Sequence, residues 1–157
     1  MDAKGRKHII SLEVVWWLIT AVITFGVLFP IWQKVPDYPF WLTNSIFIVV
    51  FITYARLIFF TNYSFLGENK VLKFIFIAIS VPVIFLLIHH LNKFQTFLDE
   101  QGPVAIVGNM SIEDEASIMG YIHKEMLFFA TASIITAILL PFKMVVSIWK
   151  TYNKDRF

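Results

Sequence analysis

The chain has 157 residues, of which 58% are hydrophobic and only 15% are charged, and its mean hydropathy is +0.72. Soluble domains carry about 25% charged residues, so a water-soluble globule of this length could not hide so much apolar surface. The 17 Phe and 5 Trp residues exclude a disordered chain. A net charge of +2, without a stripe of basic residues, argues against nucleic-acid binding, and the lack of Cys excludes disulfides and thiolate chemistry.

The N-terminal segment, residues 1–8, places Lys4, Arg6 and Lys7 ahead of a long apolar run. This order resembles a signal peptide, but the run over 14–32 is longer than a signal-peptide core, and no cleavage site of small residues follows it. We therefore expect a retained membrane helix here.

Four segments are long and apolar enough to cross a bilayer, which takes about 20 helical residues. They cover about 14–32, 38–61, 74–91 and 126–149. Apolar residues surround each segment instead of forming one stripe, as expected where lipid is the solvent. The sequence predicts an all-α chain, a single integral membrane domain built as a four-helix bundle.

The orientation follows from the Lys and Arg residues near the ends of the spans. Ten of the 13 lie in the two tails or at the connection between spans two and three, and only Lys34, Lys93 and Lys124 lie on the other side. Basic residues concentrate on the cytoplasmic side of membranes. We expect both termini in the cytoplasm and the protein in the cell (inner) membrane, with the lipid bilayer as its first partner.

The segment between spans three and four, 92–125, combines two Lys with six acidic residues, a net charge of −4. The sequence predicts a helical hairpin that projects outside the membrane. Its two arms are separated by Gly102-Pro103, which ends the first helix, and by Val104–Val107, which is β-prone. Ser111 is expected to cap the second arm.

Two interpretations of this outer hairpin stay open. It is either a solvated acidic loop or a docking surface for another membrane or extracytoplasmic protein subunit. In the second case the contacts would come from an apolar face, from the strand-like 104–107 by edge pairing, and from acids in the first turn of the second arm. The predicted partner-binding residues are Phe94, Phe97, Leu98, Glu113, Asp114 and Glu115.

Charged residues at membrane depth are costly and often functional. Glu13 lies at the inner end of span one and Arg56 near the inner end of span two, so the two could form an ion pair within the membrane. Alternatively, Arg56 extends to the lipid phosphates and Glu13 stays in the headgroup layer.

The histidines suggest a metal site. His89 and His90 end span three, and His123 and Glu125 precede span four on the same side, so antiparallel helices could bring them together. Imidazole and carboxylate ligands suit Zn or Cu, and two facing His could bind haem. Because adjacent helical residues point about 100° apart, simple interfacial histidines are the alternative, in which no cofactor is needed.

Three functions are compatible with these features. The sequence lacks GxSxG, P-loop and dinucleotide-binding signatures, which favours a non-enzymatic accessory or assembly subunit of a larger membrane complex. The second hypothesis is a small homo-oligomeric channel or transporter, its path lined by Glu13, Thr20, Thr24, Asn44 and Arg56. The third is a metal- or haem-binding membrane protein that uses the outer histidines.

Overall fold

A computed structural model describes the backbone of residues 3–67, 69–108 and 110–154, and side chains from residue 9 to 153 apart from those at 62, 68 and 109. This part of the chain is helical and contains no strand. The elements are α1 (Ala3–Lys34), α2 (Trp41–Phe60), a 3-10 turn (Thr61–Tyr63), α3 (Lys70–Gln101), α4 (Val104–Val107) and α5 (Ile112–Lys154). The helical content confirms the predicted all-α class. Helices α1, α2, α3 and α5 are each long and apolar enough to cross a membrane.

The four long helices run antiparallel in sequence order. Glu13 of α1 meets Arg56 near the end of α2, and the Lys70 ammonium at the start of α3 lies 4.1 Å from the centroid of the Tyr152 ring near the end of α5. At the opposite end, Lys34 of α1 meets Asp114 of α5, with 2.8 Å between the charged atoms. We call the end that carries both chain tails the tail side and the end that carries α4 the hairpin side.

Helix α5 is the centre of the bundle, where it packs mainly against α2 and α3. Its fully buried apolar residues recur every three, four or seven positions and so form one stripe along the helix: Ile122, Met126, Ala130, Ala137, Leu140 and Met144. Helix α1 is peripheral and touches α2 and α5 over a smaller area. The faces turned away from α5 are apolar and exposed, as expected for surfaces covered by lipid.

An aromatic cluster fixes the α1–α2 connection on the hairpin side. Phe40, just before α2, packs edge-on against Phe94 and Phe97 of α3, with ring centroids 5.2 and 5.1 Å apart. Tyr38 packs edge-on against Trp41 at 5.3 Å. Each such pair contributes about 0.5–1.5 kcal/mol beyond its buried area, so this short connection is firmly held between α2 and α3.

The sequence prediction for Val104–Val107 is wrong. These residues form the single helical turn α4, which lies between two glycines of positive φ, Gly102 at 74° and Gly108 at 71°. The turn buries Ile106 and Val107, and it packs against α5. Tertiary burial thus outweighs the β-propensity of the side chains, and pairing through a strand edge at these residues is not available.

The chain on either side of this turn is helical. Helix α3 continues to Gln101, and the Gly102 amide closes its last turn by donating to the Leu98 carbonyl at 3.0 Å. The Asp114 amide donates to Ser111 Oγ at 3.3 Å, which caps the start of α5. Helix α5 then continues without interruption to Lys154.

Candidate functional site

The bundle interior contains a buried carboxylate on the hairpin side. Glu125 of α5 is 8% exposed, and its Oε1 accepts a hydrogen bond from Nδ2 of Asn44, which is fully buried near the start of α2. No described Lys, Arg or His side chain forms an ion pair with Glu125. The carboxylate therefore depends on one neutral donor in a region where burying charge is costly.

Two tyrosines complete this group, which we call the hairpin-side cluster: Tyr38, Asn44, Tyr121 and Glu125. Tyr121 lies one helical turn before Glu125, and its hydroxyl donates to the Val27 carbonyl of α1 at 2.7 Å. Tyr38 is 2% exposed. Its burial raises the pKa of the Tyr38 phenol far above the ordinary value, and the nearby carboxylate of Glu125 raises that pKa further. The phenol is therefore neutral and keeps its proton.

Three polar atoms of this cluster are buried without a hydrogen-bond partner in the described part of the chain: the Tyr38 hydroxyl, Asn44 Oδ1 and Glu125 Oε2. An unpaired buried polar group costs about 1–3 kcal/mol. Buried unpaired groups are few in native proteins and call for a physical explanation. Three of them on one cluster mark it as the most unusual chemical feature of the interior.

A second polar group lies on the tail side and includes the pair suggested by the sequence. Glu13 and Arg56 form an ion pair, and their side chains are 17% and 8% exposed. The Phe65 amide also donates to Glu13 at 3.4 Å, and the Arg56 guanidinium lies 5.8 Å from the centroid of the Trp16 ring. The pair connects α1, α2 and the α2–α3 connection, so its evident role is to hold the helices in register.

The structure does not bring the predicted metal ligands together. His89 and His90 are neighbours with ring centroids 5.9 Å apart, and His90 Nδ1 lies 3.4 Å from the Thr43 hydroxyl. His123 is exposed, whereas Glu125 points into the cluster with Asn44. Among the side chains that the structure describes, no three His, Cys, Asp or Glu are grouped so that they could hold a metal ion.

The predicted partner-binding residues divide into core and surface. Phe94 is 1% exposed and belongs to the aromatic cluster of the chain's own core, and Phe97 is half-buried beside it. Leu98, in contrast, lines a shallow groove of about 490 Å³ between the two arms. The remaining lining residues of this hairpin groove are Pro103, Ile112, Glu115, Ala116, Met119, Gly120 and His123.

The other two acids, Glu113 and Asp114, are exposed and do not line this hairpin groove. Asp114 accepts hydrogen bonds from the Lys34 ammonium at 2.8 Å and from the Ser111 hydroxyl at 2.9 Å, so its role is structural. Glu113 and Glu115 therefore carry the remaining negative charge of the first turn of α5.

The residues suggested as the lining of a transport path lie in separate parts of the structure. Thr20 and Thr24 donate their hydroxyl hydrogens to carbonyls of their own helix, at 2.9 and 2.8 Å, and line an apolar groove between α1 and α2. Asn44 faces Glu125 instead, and Arg56 faces Glu13. The candidate residues are thus divided among three places.

Neither a protein-family model nor a curated protein nor a solved structure matches this chain.

Proposed function

We propose that the chain is a membrane-spanning subunit of the cell (inner) membrane, with both tails in the cytoplasm and residues 92–125 outside. The basic residues on the tail side support this orientation. The lengths of the helices agree with it. At about 1.5 Å per residue, the 43 residues of α5 extend about 65 Å, roughly twice the bilayer core, so one end must leave the membrane.

Within this frame, we propose a non-enzymatic accessory or assembly role in which the hairpin groove binds another protein subunit. The observation that carries this proposal is the exposure of Ile112, which is 88% accessible at the outer end of α5. It lies 14 residues, about 21 Å, before the apolar part of that helix, so lipid tails do not cover it. An exposed apolar groove in water is typical of a protein-binding surface.

The chemistry of the groove indicates what it binds. Leu98, Met119 and Ile112 give it an apolar lining, Glu115 also lines it, and Glu113 lies in the same first turn of α5. A complementary partner presents one or two apolar side chains with Lys or Arg beside them. We propose a basic, amphipathic segment of a neighbouring subunit as the occupant.

Site-specific photo-crosslinking in native membranes tests this role. A photoreactive side chain replaces Ile112, and the matched control replaces Gln95, which is exposed on the other arm but does not line the groove. We expect a crosslink from position 112 alone, to a protein segment that is both apolar and basic. Crosslinks only to lipid or to a second copy, or equal yields at both positions, would contradict the proposal.

A small transporter is the second candidate, and the buried Glu125 carboxylate is the observation in its favour. Asn44 and Arg56 lie about 18 Å apart along α2, and the buried residues of α2 between them are Phe47, Ile48 and Tyr54. This mainly apolar stretch separates the two polar groups, which favours the accessory role. Ion flux in proteoliposomes that is lost in Glu125→Gln, with the fold intact, would support transport instead.

A further inference from the structure

The tail side of the bundle contains a polar pocket of about 200 Å³. Helix α5 forms one wall, and the end of α2 with the α2–α3 connection forms the other. Since one water molecule occupies about 30 Å³, the pocket has room for a larger polar group. We call it the tail-side pocket, and its polar side chains are Thr61, Tyr63, Lys143, Ser147, Lys150 and Thr151.

Two lysines give the tail-side pocket a positive charge. Lys143 and Lys150 lie on one face of α5, about 10 Å apart along its axis, with Ser147 between them. Neither lysine forms an ion pair with a described acidic side chain, and no described Asp or Glu lines the pocket. A ligand that neutralises this charge is therefore an anion.

The hydrogen-bond donors around the pocket suit phosphate oxygens. Each lysine ammonium carries three N–H donors, and the hydroxyls of Tyr63 and Ser147 add one O–H donor each. The Thr151 hydroxyl, in contrast, donates to the Ser147 carbonyl at 2.9 Å and so stabilises its own helix. Lysine ammonium and hydroxyl groups are among the donors that proteins use to bind phosphate.

The apolar edge of the pocket and its position along α5 indicate that the phosphate belongs to a lipid. Phe59 and Val146 also line the pocket and are 77% and 47% exposed, so an apolar surface adjoins the polar side chains. Trp149 and Tyr152 are exposed in the same part of α5, as is typical of aromatic residues at the membrane–water interface. A phospholipid offers both a phosphate at that depth and apolar chains beside it, whereas inorganic phosphate would use only the polar part.

We propose that the tail-side pocket binds the phosphate of an anionic phospholipid headgroup between Lys143 and Lys150. The bound headgroup joins α5 to the α2–α3 connection. Basic pockets between membrane helices on the cytoplasmic side bind anionic headgroups in this way. The site rests on the membrane-spanning part of the proposed function, but it does not depend on the hairpin groove or on a partner subunit.

The test is the thermal stability of the purified full chain in micelles of a nonionic detergent at constant ionic strength. Phosphatidylglycerol, phosphatidylcholine or inorganic phosphate is added at equal concentration. Because a ligand of the folded state stabilises it, we expect phosphatidylglycerol at a hundredfold excess over Kd to raise Tm by at least about 5 °C. Phosphatidylcholine, whose choline offsets the phosphate charge, should raise Tm less, and inorganic phosphate should leave it nearly unchanged.

Variants with a matched control locate the effect. Lys143→Gln combined with Lys150→Gln should raise the half-saturating concentration of phosphatidylglycerol at least about tenfold. Ser147→Ala removes a neutral donor and should raise it about fivefold. The control combines Lys4→Gln with Lys7→Gln, which removes the same charge from the N-terminal tail and should change the half-saturating concentration less than about threefold.

The proposal is wrong if phosphatidylcholine stabilises the chain as well as phosphatidylglycerol does, or if inorganic phosphate alone gives the same rise in Tm. It is also wrong if the two double variants weaken the response equally, since the lipid would then be attracted by overall charge, or if Ser147→Ala responds as the unmodified chain does. A chain that is folded in micelles but fails these tests refutes only the lipid site. A chain that stays folded and soluble after the detergent is removed would instead refute the membrane-spanning proposal.

Discussion

Removing the charge of Arg56 tests how the buried ion pair holds the helices together. Arg56→Met retains an unbranched apolar stem at this position, but the Glu13 carboxylate, only 17% exposed, loses its partner. Breaking a buried pair in this way costs about 3–5 kcal/mol, and losing the contact with the Trp16 ring adds about 0.5–1 kcal/mol. At roughly 2–4 °C per kcal/mol, Tm should fall by about 10 °C.

A double-mutant cycle separates this coupling from other effects. Glu13→Gln with Arg56→Met removes both charges, so the double variant should be more stable than Arg56→Met alone. The control is Lys34→Met, which breaks the exposed pair with Asp114 and should leave Tm nearly unchanged. The reasoning is refuted if Arg56→Met lowers Tm as little as Lys34→Met does. It is also refuted if the effects of Glu13→Gln and Arg56→Met on stability simply add.

Two further predictions concern the hairpin side, and thermal unfolding in detergent checks both. Phe40→Ala removes a ring that packs edge-on against Phe94 and Phe97, so it should lower the free energy of unfolding by about 3–5 kcal/mol. A loss below about 1 kcal/mol would mean that the aromatic cluster does not fix the α1–α2 connection. In Gly102→Ala the added Cβ meets no atom within 4 Å, but the alanine is forced to φ 74°. We therefore expect the free energy of unfolding to fall by about 1 kcal/mol. An unchanged or higher stability would exclude this backbone conformation.

The four long helices could be predicted because a membrane-spanning helix requires only sufficient length and apolarity, which are local properties of the sequence. The ends of these helices are harder to predict. Helix α2 begins at Trp41, after the two prolines of the connection, instead of at residue 38. Helices α3 and α5 continue well beyond the apolar windows 74–91 and 126–149, where local signals other than hydropathy mark their ends: Gly102-Pro103 after α3 and Ser111 before α5.

The hairpin-side cluster could not be predicted because its key contacts join distant parts of the chain. The sequence places Glu125 just before span four, since acids are excluded from apolar windows, and its partner Asn44 lies 81 residues away. One local signal was present. Glu125 follows Tyr121 by four residues and Ile118 by seven, which places it on the buried face of α5.

The histidine prediction depended on how neighbouring helices are rotated about their axes, which sequence patterns do not specify. His123 follows the buried Ile122 directly, so it points about 100° away from the face of α5 that meets the other helices. Glu125, three residues after Ile122, stays on that face. Proximity in the sequence therefore did not bring the imidazoles and the carboxylate together.

The membrane topology is tested most directly by cysteine labelling, for which the chain is suited because it has no native Cys. Single cysteines replace three exposed residues: Ser11 on the tail side, Glu100 in the hairpin and Thr131 in the apolar part of α5. With a membrane-impermeant maleimide on intact cells, we expect labelling at position 100 alone, labelling at position 11 only after the membrane is opened, and labelling at position 131 only after denaturation. Equal labelling of positions 11 and 100 in intact cells, or ready labelling of position 131 in the folded protein, would contradict a chain that crosses the membrane four times.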